Sequence, residues 1–216
     1  MGEDSTEHPG WEGRSQPGVE AGEGGPAGGL REAAVTTTRA ARAGDHGVEA
    51  GRSVVVLVVN GRRHDLELGR DLEVWMSLGH VLRERLGLTG LKLACAEGAC
   101  GACTVIMDGK AVLSCLVLAV AVSGHEIVTI EGLGAEDPVV RAFAAQCEPG
   151  FGTALQCGYC TPGFVMTARA LLDHQPKPGP EEVAEALGGN ICRCGCYAGI
   201  ARAVQHAADG DVGPLP

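Results

Sequence analysis

The chain has 216 residues, of which 45% are hydrophobic and 3% aromatic, and its formal net charge is −10. That length accommodates one or two domains with a buried core. The acidic balance excludes a binder of the nucleic-acid backbone, and the scarcity of aromatic rings excludes a base-stacking platform.

Residues 1–52 hold twelve glycines, three prolines and one aromatic, Trp11, with no Ile, Phe, Tyr or Cys. Such a segment cannot bury enough apolar surface to offset its ordering entropy, and it is predicted to be a disordered tail. A partner-binding or targeting role for it stays open. The first residues lack a basic stretch followed by an apolar one, and no twin-arginine export signal is present. The longest apolar run, 116–122, is far shorter than the roughly 18 residues of a membrane span. The expected location is the cytoplasm, where thiols stay reduced.

At Ser53 the pattern changes. Residues 53–59 are β-branched and apolar, which predicts a buried strand. Asn60-Gly61 is a type I′ hairpin signal, and 62–68 is the return strand. Val74, Leu78, Val81, Leu82 and Leu86 form the apolar stripe of a helix that stops at Gly87. Residues 104–107 predict a strand, Asp108-Gly109 a second hairpin turn, and 126–130 a final strand. Two hairpins with a helix between them imply a small mixed sheet with the helix packed across it, over 53–133. From about residue 136 strand signals vanish. Helical stretches are predicted at 138–147, 162–174, 180–188 and 197–208, with Thr161 as an N-cap and Gly188-Gly189-Asn190 as a stop. Residues 134–209 thus read as a four-helix domain, followed by a short tail at 210–216.

All ten cysteines lie at or beyond position 95. Cys95-x4-Cys100-x2-Cys103, followed after eleven residues by Cys115, is the plant-type [2Fe–2S] spacing. Three thiols on one loop wrap one side of a cluster, and the hairpin at Asp108-Gly109 returns the fourth. Gly98 and Gly101 free the loop of Cβ atoms, so that backbone N–H groups point at sulfur. A four-cysteine zinc site is the alternative, although structural zinc sites usually present two short knuckles. Cys157, Cys160, Cys192 and Cys194 form a second set, whose first pair immediately precedes a helix. Alone, this set fits zinc or a cluster. A thioredoxin-like site lacks its strand–helix surroundings. No Cys-x-His pairing exists, which disfavours a Rieske centre.

Three segments, Gly98-Ala-Cys-Gly-Ala-Cys-Thr104, Gln156-Cys-Gly-Tyr-Cys-Thr-Pro-Gly163 and Gly189-Asn-Ile-Cys-Arg-Cys194, resemble the small iron–sulfur subunit of the xanthine dehydrogenase (molybdenum hydroxylase) family. The resemblance runs from about 54 to 208. It implies an α+β fold, a β-grasp plant-type ferredoxin domain followed by an all-α [2Fe–2S]-binding domain. It also implies two [2Fe–2S] clusters. Cys95, Cys100, Cys103 and Cys115 would hold the one facing flavin, and Cys157, Cys160, Cys192 and Cys194 the one facing molybdenum. Gln156 would approach molybdopterin. The implied partners are a large molybdopterin subunit and a medium FAD subunit, in a heterotrimer that oxidises its substrate on the large subunit. Electrons would then pass singly through this chain, which carries no catalytic residue. The alternative is a free-standing two-cluster ferredoxin, or, without iron, a zinc-stabilised interaction module. Two features depart from the family pattern. Many relatives read Cys-Arg-Cys-Thr-Gly-Tyr where this chain has Cys192-Arg-Cys-Gly-Cys-Tyr197, and 146–151 looks like an insertion. Cys147 and Cys196 are read as free thiols, with Cys196 as ligand in place of Cys194 left open.

Overall fold

The computed structural model describes residues 53–211. The glycine-rich segment expected to be a disordered tail, 1–52, and residues 212–216 lie outside the described residues.

Strands β1 (Val54–Val59) and β2 (Arg62–Glu67) form a hairpin. Asn60 and Gly61 both take left-handed backbone, φ 51° and 72°, as a type I′ turn demands. Along β1, Val55, Leu57 and Val59 are buried while Val54 is exposed, the period-two signature of a strand with one covered face. Strands β3 (Thr104–Met107) and β4 (Lys110–Leu113) make the second hairpin, turned by Asp108 (φ 48°) and Gly109 (φ 79°). Strand β5 (Glu126–Val128) enters between the hairpins, parallel to β1 and antiparallel to β3. The sheet order is β2-β1-β5-β3-β4. The predicted last strand, 126–130, ends early for a local reason. The Asn60 side chain takes the Thr129 N–H and donates to the Thr129 hydroxyl, at 2.9 and 3.0 Å. The chain then turns into a short 3-10 helix at Ile130–Gly132.

The predicted helix across the sheet is also shorter than its apolar stripe. Helix α1 (Leu78–His80) begins at Ser77, whose hydroxyl accepts the His80 N–H, and continues as a π-helical turn over Val81–Arg85. Val74 and Trp75 precede the cap and remain exposed. Leu78, Val81 and Leu82 pack on Leu57, Leu72, Leu91 and Ile127.

The second half is built on α2 (Pro138–Ala145), α3 (Thr161–His174), α4 (Pro180–Leu187) and α5 (Tyr197–Asp209). Phe143, Phe164, Val183, Ile200 and Val204 fill the space among them. Asp137 caps α2 by accepting the Val139 and Val140 N–H groups. Strand signals do not vanish after 136, contrary to expectation. α2 stops two residues short of its predicted end, and Cys147 lies on β6 (Cys147–Glu148), paired with β7 (Gly152–Thr153). Contacts from α5 hold this hairpin. Glu148 receives Arg202 at 3.2 Å and His206 at 3.0 Å, and the Arg202 guanidinium stacks 5.1 Å from the Phe151 centroid. Cys160, not Thr161, occupies the N-cap of α3. On the far side of α3, Met166 and Ala170 pack against Ile106 of β3. Sheet and helices together make the fold α+β. Among the described residues no helix is long and apolar enough to cross a membrane.

Candidate metal centres

The first cysteine set sits on the loop between α1 and β3. Ala96, Gly98 and Gly101 all take positive φ, 56°, 81° and 70°, which curls the loop so that its amides turn inward. A Cβ at Gly98 would lie 2.4 Å from Leu116, and one at Gly101 2.4 Å from the Asn190 amide. The Cys95 thiol is drawn down to about 7, first by the Glu97 N–H, then by the Cys100 thiol and the N–H groups of Ala99 and Cys100. The β3–β4 hairpin delivers Cys115. The Ser114 hydroxyl donates to the Cys103 carbonyl at 2.7 Å and fixes that return. Burial pushes Cys115 up to about 11, and contact with the Cys103 thiol adds to it, while the Gly98 N–H opposes both.

The second set brings together two turns, one before α3 and one between α4 and α5. Gly158 (φ 74°) shapes the first and Gly195 (φ 75°) the second. Cys157 faces Cys194, sulfur to sulfur, at 3.6 Å. Its thiol is lowered by the Tyr159 N–H and then by Cys194. Cys160 meets Cys192 and is pushed up to about 12, chiefly by burial. Burial also pushes Cys192 upward, but the N–H groups of Cys196 and Cys194 and the Cys160 thiol outweigh it, and the net direction is down. The Tyr197 hydroxyl accepts the Cys192 N–H at 2.9 Å, and its ring stacks edge-on against Phe164.

The thiols meet in twos: Cys95 with Cys100, Cys103 with Cys115, Cys157 with Cys194, and Cys160 with Cys192. Four thiols that meet in twos suit a two-iron cluster, in which each iron takes two thiolates. The inward amides suit the negative charge of such a cluster. The eight predicted cysteines thus gather into two sets of four. Cys147 is exposed on β6.

The two sets are stitched together. The Ile191 N–H, one residue before Cys192, donates to the Cys100 carbonyl at 3.0 Å. Asn190 Nδ2 donates to the Gly101 carbonyl at 3.1 Å, and Asn190 Oδ1 accepts the Thr167 hydroxyl at 3.0 Å. In sequence Asn190 reads only as part of a helix stop, and nothing local marks its long-range role. Gln156 lies exposed beside Cys157. Leu155, Tyr159, Ile191 and Tyr197, all close in sequence to this second set, are exposed as well.

Known proteins are similar to this chain. Residues 66–126 match a family described as a 2Fe-2S iron-sulfur cluster binding domain, and residues 129–205 a [2Fe-2S] binding domain. The nicotine 6-hydroxylase small subunit of Paenarthrobacter nicotinovorans is 47% identical over 151 residues, which are 69% of this chain and 86% of that protein. The nicotinate dehydrogenase small FeS subunit of Eubacterium barkeri is 48% identical over 129 residues, which are 60% of this chain and 80% of that protein. Among solved structures, quinoline 2-oxidoreductase from Pseudomonas putida 86 superimposes with a TM-score of 0.63 at 36% identity, over 75% of this chain and 99% of the matched one. With both cluster-binding families matched in sequence order and relatives covered over most of their length, the chain belongs to the small iron–sulfur subunits of the xanthine dehydrogenase family.

Proposed function

We propose that this chain is the electron conduit of a molybdenum hydroxylase, with no substrate site of its own. Each [2Fe–2S] cluster, when bound, takes up and releases one electron at a time. Cys95, Cys100, Cys103 and Cys115 hold one cluster, in a β-grasp ferredoxin domain over 53–133. Cys157, Cys160, Cys192 and Cys194 hold the other, in a four-helix domain over 134–209. The observation that carries the reading is the Ile191 N–H on the Cys100 carbonyl. It leads from a ligand of one centre to a ligand of the other through one hydrogen bond and the intervening backbone. The loops around each centre exclude water from Cys103 and Cys192, 2% and 6% exposed, and aim amides at sulfur.

The partners in this reading are a large molybdopterin-binding subunit and a medium FAD-binding subunit, in the cytoplasm. The exposed apolar side chains around the second set support a covered face there, and Gln156 on that face reaches toward the pterin. The test is purification of the tagged full-length chain from its native host, with metals quantified. Two larger chains, molybdenum and about four irons per chain are expected. Four irons without molybdenum or partners would overturn the conduit reading in favour of a free two-cluster ferredoxin. Zinc in place of iron would overturn the ligand assignment.

A further inference from the structure

Among the described residues, most exposed large apolar side chains fall into two groups. One group is close in sequence to the second cysteine set. The other lies on two neighbouring segments beside the first set. Leu118 is bridged to Ser77, the Leu78 N–H donates to the Val117 carbonyl at 2.6 Å, and the Ala119 N–H donates to the Met76 carbonyl at 3.0 Å. Met76 and Ala119 turn into the core, so their neighbours Trp75 and Leu118 turn out to solvent. Val74 and Leu116 are exposed on the same two segments, and Trp75 is 67% exposed. Leu116 directly follows Cys115. Its side chain lies over Gly98 of the first cysteine loop, where an added Cβ would come within 2.4 Å of it. The apolar patch therefore continues onto the first centre.

A group of exposed apolar side chains built around a tryptophan has the composition of an interface core. Its rim is acidic. Glu73 adjoins Val74 and Glu97 adjoins Gly98, and both carboxylates are exposed and outside any ion pair of the described residues. The one titratable group against the tryptophan is His80, whose ring meets it edge-on at 6.4 Å. A second copy of this chain would bring the same carboxylates to both sides of a two-fold contact, which is unfavourable. Residues 1–52 carry nine carboxylates against five arginines, so they do not complement the rim either. A protein face with an apolar centre and a Lys or Arg border does. Chemistry adds a requirement of its own, since an electron that arrives at the first centre must leave through a partner seated there. We propose that Val74, Trp75, Leu116 and Leu118 are the docking surface for the FAD-binding subunit. This rests on the conduit reading above, and it assigns the exit end of that conduit to named side chains.

The test is the affinity of the purified FAD-binding subunit for the iron-loaded full-length chain. Trp75→Glu and Leu118→Glu are each expected to weaken binding at least about tenfold. Both leave about four irons per chain and do not move the reduction potentials. Trp75→Phe, which keeps an aromatic ring, is expected to bind within about threefold of the parent. Reversing the rim with Glu73→Lys and Glu97→Lys together is expected to weaken binding severalfold at low salt, with the loss shrinking as salt rises. Parental affinity in both Trp75→Glu and Leu118→Glu overturns the proposal. So does a parent chain that is a dimer and that Trp75→Glu converts to a monomer, because the patch would then belong to a second copy. A parent chain that comes from its native host without larger partners would instead overturn the conduit reading.

Discussion

Asn190 shows how much one amide can join. It is buried, and it ties the α4–α5 turn to the Gly101 carbonyl on one side and to the Thr167 hydroxyl of α3 on the other. Asn190→Ala removes two buried hydrogen bonds, at a cost of about 1 kcal/mol each, while the Thr167 hydroxyl keeps the Gly163 carbonyl and the Gly101 carbonyl keeps the Thr104 hydroxyl. For a chain of this size that is a fall of several degrees in unfolding temperature, to be read by thermal unfolding of the iron-loaded protein with its metal content unchanged. The proposed ligand cysteines and Asn190 differ sharply in how legible they are. Cys95, Cys100 and Cys103 announce themselves because three donors on one short loop must obey a fixed spacing. Asn190 meets Gly101 across 89 residues, and no spacing rule reaches that far. Its neighbours Gly188 and Gly189 account for it locally as a helix stop, which hides the rest.

Secondary-structure elements divide along the same line. The β1–β2 and β3–β4 hairpins are legible because Asn-Gly and Asp-Gly supply the positive φ that their turns require. The β6–β7 hairpin is not, since its strands are two residues long and Arg202 and His206 of α5 hold it from outside. Likewise the apolar stripe extends to Val74, but Ser77 caps the helix later, so periodicity alone misplaces its start. The β3–β4 turn also carries a titratable tie. Asp108 is hydrogen-bonded to His125 and accepts the Glu126 N–H at 3.0 Å, and these hold its carboxyl below its ordinary 3.8. A depressed carboxylate stabilises the fold above its unfolded value, and that contribution disappears as pH falls through the lower folded value. Asp108→Asn is therefore expected to lower the unfolding temperature slightly at pH 6, with the difference closing as pH falls through the lowered folded value. A gap that persists undiminished at the lowest pH would contradict the assignment.

At the scale of the whole described chain, the contact between the sheet half and the helical half is unusually close. A Cβ at Gly163 would lie 2.2 Å from the Gly101 carbonyl oxygen and 3.0 Å from the Ala102 Cα, both backbone atoms that cannot swing aside. Gly163→Ala must push α3 away from the first cysteine loop. The expected result is a chain several degrees less stable, with electron transfer between its centres slowed, measured by thermal unfolding and by rapid reduction kinetics. Ile191 offers the complementary test. Its N–H makes the link to Cys100 while its side chain is half exposed. Ile191→Glu should keep both centres and their coupling, yet fail to co-purify with larger chains. Co-purification at parental yield would remove that face from the partner surface.

The Ile191 amide that closes this contact also lies on the proposed electron path. On that reading, opening the seam by a bond length would slow transfer between the centres without disturbing a single sulfur. Both chromophores would survive such a breach, and the protein would look intact in the visible spectrum. Its colour reports how fully the centres are loaded, and says nothing of whether the wire between them is whole.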